Sequence, residues 1–203
     1  MCSPYWWRRF IMNKSQALCA ILFILSVGCA HVARFNNTEV DVGKGVVLHL
    51  PDPKQILPPV QLVQLFKINY NSKNYSNQMI LTSQNNKISV ISLLPFGGEL
   101  FRIVYDGQDI QYKSLPGVGF EFDVKYALAD LVLIYADADK IESWSNGSVK
   151  IIDKGFERDV YFKSENIIQI KYSGSDRLRS QIEYRHLVRG YVINIEFISA
   201  KVL

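Results

Sequence analysis

The chain of 203 residues is poor in the side chains that most often carry chemistry: it has three cysteines and three histidines. Cys2, Cys19 and Cys29 all lie at the N-terminal end, so a mature domain that begins near Cys29 has one thiol and no internal disulfide. His31, His49 and His186 are far apart, and none has a partner at metal-ligand spacing. There is no Gly-x-Ser-x-Gly elbow, no Cys/His pair and no phosphate loop. Asp137 and Asp139 in "YADADK" stand two apart but lack the Gly and Glu of a calcium loop. These absences predict no catalytic residue, no metal and no cofactor, and hence not an enzyme. Charge of one sign is also lacking. Of 23 basic residues, Arg8, Arg9 and Lys14 fall in the first 28, which leaves 20 against 19 acidic ones. A nearly neutral domain gives no reason to expect nucleic acid.

The longest uncharged apolar stretch runs from Ala17 to Gly28. It is too short for a membrane span of about 20 residues and fits the apolar segment of a secretory signal, about 7–15 residues. Its end, Leu25-Ser26-Val27-Gly28-Cys29, resembles the bacterial lipobox, which is cut before a cysteine that becomes acylated. Leu25 stands one place early for that pattern. An ordinary signal or anchor with an incidental cysteine, or a buried N-terminal helix, are the alternatives. A start at Met12 would give a compact lipoprotein signal. The expected organisation is a signal over 1–28, a lipidated tether and proline-rich lead-in over 29–59, and a β domain over 60–203. Each buried acyl CH₂ contributes about 0.8 kcal/mol, so several chains on Cys29 would hold the protein on a membrane.

Beyond "LPDPKQILPP" at 50–59, apolar and polar residues alternate, as in half-buried antiparallel strands. The spacing predicts strands over 61–70, 78–84, 87–94, 99–107 and 108–115, then over 157–164, 166–174, 179–186 and 191–199. Asp106-Gly107 reads as a hairpin turn. Between the two runs, Val124, Leu128, Leu131 and Tyr135 recur at helical spacing behind Asp123, a plausible N-cap. The fold class is therefore α+β: a curved antiparallel sheet or half-open β-barrel, with a helical insertion as its lid. One helix is a thin cover for about nine strands, so the pattern predicts an apolar cavity at the barrel mouth. Alternation alone does not say which strand faces line it.

Two surface features stand out. Phe96 sits between Pro95 and Gly97-Gly98 in "LLPFGGELF", either tucked over the sheet or held out as an apolar tip. Arg177, Arg179, Arg185 and Arg189 form either a basic patch for anionic lipid headgroups or a solvated strand edge.

The order of pieces resembles the outer-membrane lipoprotein receptor LolB and its periplasmic carrier relatives. It resembles more closely a family of bacterial lipoproteins of that fold encoded beside aryl polyene biosynthesis genes. The stretches that carry the resemblance are "LLPFGGELFRIVYDGQDIQYKS" at 93–114, "YALADLVLIYADADKIESW" at 126–144 and "IKYSGSDRLRSQIEYRHLVRGYVINIEFI" at 170–198.

The resemblance implies a LolA/LolB-like sheet around an acyl-chain cavity, Phe96 as a membrane-contacting loop residue, and Trp144 as the tryptophan that follows the helix. Ala30 after Cys29 implies the outer membrane, on its periplasmic face. The cavity wall is assigned to Leu93, Leu100, Val104, Leu131, Trp144, Ile193 and Ile195. The expected function is an outer-membrane-anchored lipoprotein that binds a hydrophobic or lipid-like ligand and helps its transfer or insertion, with aryl polyene lipid export as a candidate setting. The alternative is a structural or assembly lipoprotein with a filled core and a protein partner in the periplasm.

Overall fold

The computed structural model describes residues 32–115 and 123–203; the signal assigned to 1–28 and the lipidation residue Cys29 lie outside the described residues. Among the described residues, thirteen strands and three helices follow one another. They are β1 (Val32–Phe35), β2 (Glu39–Asp41), β3 (Val47–His49), α1 (Pro53–Ile56), β4 (Val60–Tyr70), β5 (Lys73–Gln84), β6 (Lys87–Leu93), β7 (Glu99–Tyr105) and β8 (Ile110–Ser114). Then come α2 (Val124–Tyr135), α3 (Ala138–Trp144), β9 (Val149–Lys154), β10 (Glu157–Phe162), β11 (Glu165–Tyr172), β12 (Ile182–His186) and β13 (Tyr191–Val202).

The architecture is α+β, with an antiparallel sheet that curls but does not close. Its eleven strands run β1-β8-β7-β6-β5-β4-β13-β12-β11-β10-β9, and β2 and β3 pair by themselves. Two meanders, β4 to β8 and β9 to β13, are thus joined along one seam, where β13 pairs with β4 from Tyr191↔Tyr70 to Val202↔Val60. A bulge between Phe197 and Ser199 interrupts that register and adds bend and twist to the joint.

The helix lies across the concave face. Asp123 caps it, its carboxylate accepting from the Lys125 amide at 3.0 Å. From Leu128 to Tyr135 every side chain is buried, because the sheet covers one side and the N-terminal segment the other: α1 touches α2, β5 and β6, and β2 touches α2. Five adjacent strands reach the C-terminal half of this helix through polar bonds. The amide of Gln64 on β4 donates to the Tyr135 hydroxyl at 2.9 Å, and the Tyr172 hydroxyl on β11 donates to the Ile134 carbonyl at 2.7 Å. Tyr184 on β12 and Tyr191 on β13 donate to Asp130. Arg158 on β10, fully buried, donates to the carbonyls of Leu133 and Ala136 at 2.8 and 2.7 Å. A sheet whose neighbouring strands all meet one helix must curl around it.

Three expectations need correction. Within 29–59, expected as a tether and proline-rich lead-in, the described residues 32–59 are folded onto the domain: β1 pairs with β8, and Val40, Val42, Val46, Leu48, Leu50, Ile56 and Leu57 join the core. The strands of this segment are too short for alternation to reveal. Residues 71–77, left between the strands expected over 61–70 and 78–84, are mostly strand, because Asn71 and Ser72 turn the chain alone, with φ 48° and 61°, the backbone of a two-residue hairpin. Residues 149–154 form β9, for which no strand was expected.

Candidate functional site

Between α2 and strands β4 to β7 the concave face is incompletely filled, leaving a cavity of about 740 Å³. Phe66, Ile68 and Tyr70 of β4, Met79 and Leu81 of β5, Val90 of β6, and Leu100 and Phe101 of β7 form its sheet wall. Tyr126, Ala127, Asp130, Leu131 and Ile134 of α2 face them, and Tyr191, Ile193 and Arg189 close a third side. Most of this surface is apolar, as in sites for organic ligands, which typically run to about 300–1,000 Å³. Asn74, Tyr75 and Ser76 are both cavity-lining and exposed, so the cavity reaches solvent at the β4–β5 hairpin tip.

Of the residues assigned to the wall from sequence, Leu100, Leu131 and Ile193 line the cavity. Ile195 points to the same side but is packed in the core, away from the cavity. Leu93 and Val104 do not line it. Each is only half-buried, on the strand face opposite Val90 and Ile103, because successive side chains alternate between faces. Trp144 ends α3 half-buried against the core, also outside the cavity.

Phe96 is fully exposed at the tip of the β6–β7 turn. The Gly97 amide donates to the Leu94 carbonyl at 3.0 Å, and Gly97 and Gly98 adopt φ 86° and 91°, conformations that suit glycine. The pairing of Gln78 with Leu93 puts this tip at the end of the sheet where the cavity opens. β1 begins at the same end, since Val32 pairs with Lys113 next to the end of β8.

The polar end of the cavity centres on Asp130, a carboxylate in a helix that is otherwise apolar along this stretch. The hydroxyl of Tyr184 donates to it at 2.5 Å, and that of Tyr191 at 2.9 and 2.8 Å to its two oxygens. Burial pushes its carboxyl up to about 6, against the lowering effect of these bonds and of the Arg189 charge. His186 lies behind. Burial, then the Arg189 charge, holds it down to about 4, so it is neutral near pH 7. Its ring accepts from the Arg189 amide at 3.3 Å, which makes it a loop-holding residue. His49 lies on the surface against Glu39 and Asn146.

The four arginines of the candidate basic patch do not act together. Arg177 bonds Asp153 at 2.8 Å and stacks on Tyr172, Arg179 faces Asp176, and Arg185 pairs with Glu183. Arg189 alone of the four reaches the cavity. Among the described residues no group of three or more His, Cys, Asp or Glu side chains is placed to hold a metal. Asp137 is instead paired with Lys140 at 2.9 Å. Sequence reasoning missed Asp130, although a lone carboxylate inside "ALADLVLIY" was a visible signal.

No curated protein matches the chain. Among solved structures, the chain is similar to one described as an outer membrane lipoprotein-sorting protein domain from Vibrio parahaemolyticus. That likeness has 11% identity and a TM-score of 0.43, and covers 70% of this chain and 84% of that one. A DUF1329 family protein from Desulfovibrio piger is similar with 10% identity and a TM-score of 0.43, over 74% of this chain and 88% of that one. A family model covers the sheet from β4 nearly to the end of β13. It is described as Protein of unknown function (DUF3261) and matches residues 61–199, well over half of the chain, so the chain belongs to that family.

Proposed function

We propose that this protein is an outer-membrane-anchored lipoprotein, acylated at Cys29, that binds a hydrophobic or lipid-like ligand and helps its transfer or insertion at the membrane without catalysing a reaction. The observation that carries this reading is the cavity, apolar over most of its wall and open at one end of the sheet. Moving an acyl chain from water into it gains about 25 cal/mol per Å² of apolar surface buried. Among the described residues no side chain fills this space, which supports the carrier reading over an assembly protein with a filled core.

The open end also suits work at a bilayer. Phe96 projects there with no core to fill. Val32 starts β1 at that end, three residues after Cys29 in the chain, a separation that an extended chain covers in at most about 11 Å. An acylated Cys29 would therefore tether the mouth end, leaving the opposite end, with the Phe156 turn, facing away. An aryl polyene lipid is the first ligand to try, on the resemblance carried by residues 93–114, 126–144 and 170–198.

The test is native mass spectrometry of protein extracted from its own membranes without added lipid. A co-purifying hydrophobic molecule is the expected result, together with an acylated N-terminal Cys29. An empty protein in repeated preparations would overturn the carrier reading. A free thiol at Cys29 would overturn the anchor.

A further inference from the structure

We infer that the polar end of the cavity is a subsite for an acidic headgroup, and that the ligand is a long-chain carboxylate whose chain lies on the apolar wall and whose head is bound by Arg189. This rests on the carrier reading and names the chemical class of its ligand.

Every other described arginine has a carboxylate partner: Arg34 with Asp109, Arg102 with Glu99, Arg158 and Arg177 with Asp153, Arg179 with Asp176, Arg185 with Glu183. Arg189 has none among the described residues, and it is the arginine that lines the cavity. It is held in place by neutral groups. Its guanidinium carbon lies 3.5 Å from the centre of the Tyr126 ring, one nitrogen donates to the Asp41 carbonyl, and its backbone amide donates to Nδ1 of His186. A guanidinium has five N–H donors, so these contacts leave donors over. A cation seated over an aromatic ring, with N–H donors left over, can receive a carboxylate.

The other charged and titratable groups around Arg189 agree. The Asp130 carboxylate is occupied by Tyr184 and Tyr191. The carboxylate of Asp41 accepts from the Gly43 amide at 2.6 Å. His186 is uncharged at neutral pH. An alkylammonium head would meet Arg189 with like charge, and an alcohol would bond it without charge. Asp130 opposes an acid from across the cavity, which limits affinity and favours release, as a carrier requires.

The test uses the purified full chain at about pH 8, with dodecanoate, 1-dodecanol and dodecylamine displacing the neutral dye N-phenyl-1-naphthylamine. Dodecanoate is expected to bind at least about tenfold tighter than the alcohol, and the amine more weakly than either. Arg189→Met should remove that advantage and leave the alcohol within about twofold, whereas Asp130→Asn should tighten dodecanoate alone. Equal affinities for acid and alcohol in the wild type, or a parallel loss of both in Arg189→Met, would overturn the headgroup inference and leave the carrier reading standing. Failure of the wild type to bind the dye or any of the three compounds would overturn the carrier reading with it. The wild-type comparison decides the matter even if Arg189→Met fails to fold.

Discussion

At Arg158 one buried guanidinium meets two needs. It bonds carbonyls left open at the end of α2, where the helix dipole favours a cation, and it pairs with Asp153 at 2.7 and 3.0 Å. Burial pushes the Asp153 carboxyl up, but the bonds and charges of Arg158 and Arg177 outweigh it and bring it down to about 2. Replacing Arg158 by Met should therefore cost about 3–5 kcal/mol, read as a lower urea midpoint at unchanged slope. His186 and Asp130 titrate in opposition. His186 has a folded value of about 4 against an ordinary 6.5, so its contribution is lost as pH falls from about 6.5 to 4. Asp130 has a folded value of about 6 against 3.8, so its burial destabilises less over nearly the same fall. Thermal melts over that window should show His186→Gln gaining stability on acidification, and Asp130→Asn losing it more steeply than the wild type. Asp153 responds only below about pH 4, outside the window.

Among the elements, α2 both completes the core and walls the cavity, with Leu128 buried in the core and Leu131 on the cavity side. Leu131→Trp should fill space rather than open it. Dye binding is expected to fall at least tenfold, with a melting temperature no lower than that of the wild type, measured on one preparation by fluorescence titration and thermal melt. The helix was legible because its apolar residues keep the 3.6 period behind a capping aspartate. The strands from β4 to β8 were legible because they alternate. Which face looked inward was not: Leu93 and Val104 are as apolar as Leu100, and only pairing register tells them apart. The polar half of β5 falls between the expected strands, since the residues at 73–77 extend past the core to the mouth and carry no apolar alternation. β9 shows no clean alternation because Ile151 and Ile152 stand side by side in "VKIIDK", and β1 to β3 show none because three- or four-residue strands carry no period.

The unit that carries the sheet has two unlike ends. One carries the cavity opening, the Phe96 tip and the start of β1; the other carries the turn with the exposed Phe156. If Cys29 is acylated as proposed, an environment-sensitive label on Phe96→Cys should be quenched by brominated lipid when the protein sits in vesicles, while the same label on Phe156→Cys should not. Equal quenching at both positions would rule out a mouth that faces the bilayer. Neither substitution should move the melting temperature by more than a degree or so, since both side chains are exposed. The seam between the two meanders has a further consequence. It zips Val60 to Val202 and Tyr70 to Tyr191, partners separated by most of the domain's sequence. Such distant pairing makes folding slow, and the strand that completes the seam is synthesised only after the whole early meander. Until then the early meander presents an unpaired β4 edge and an incomplete lining, the kind of surface that is prone to aggregate.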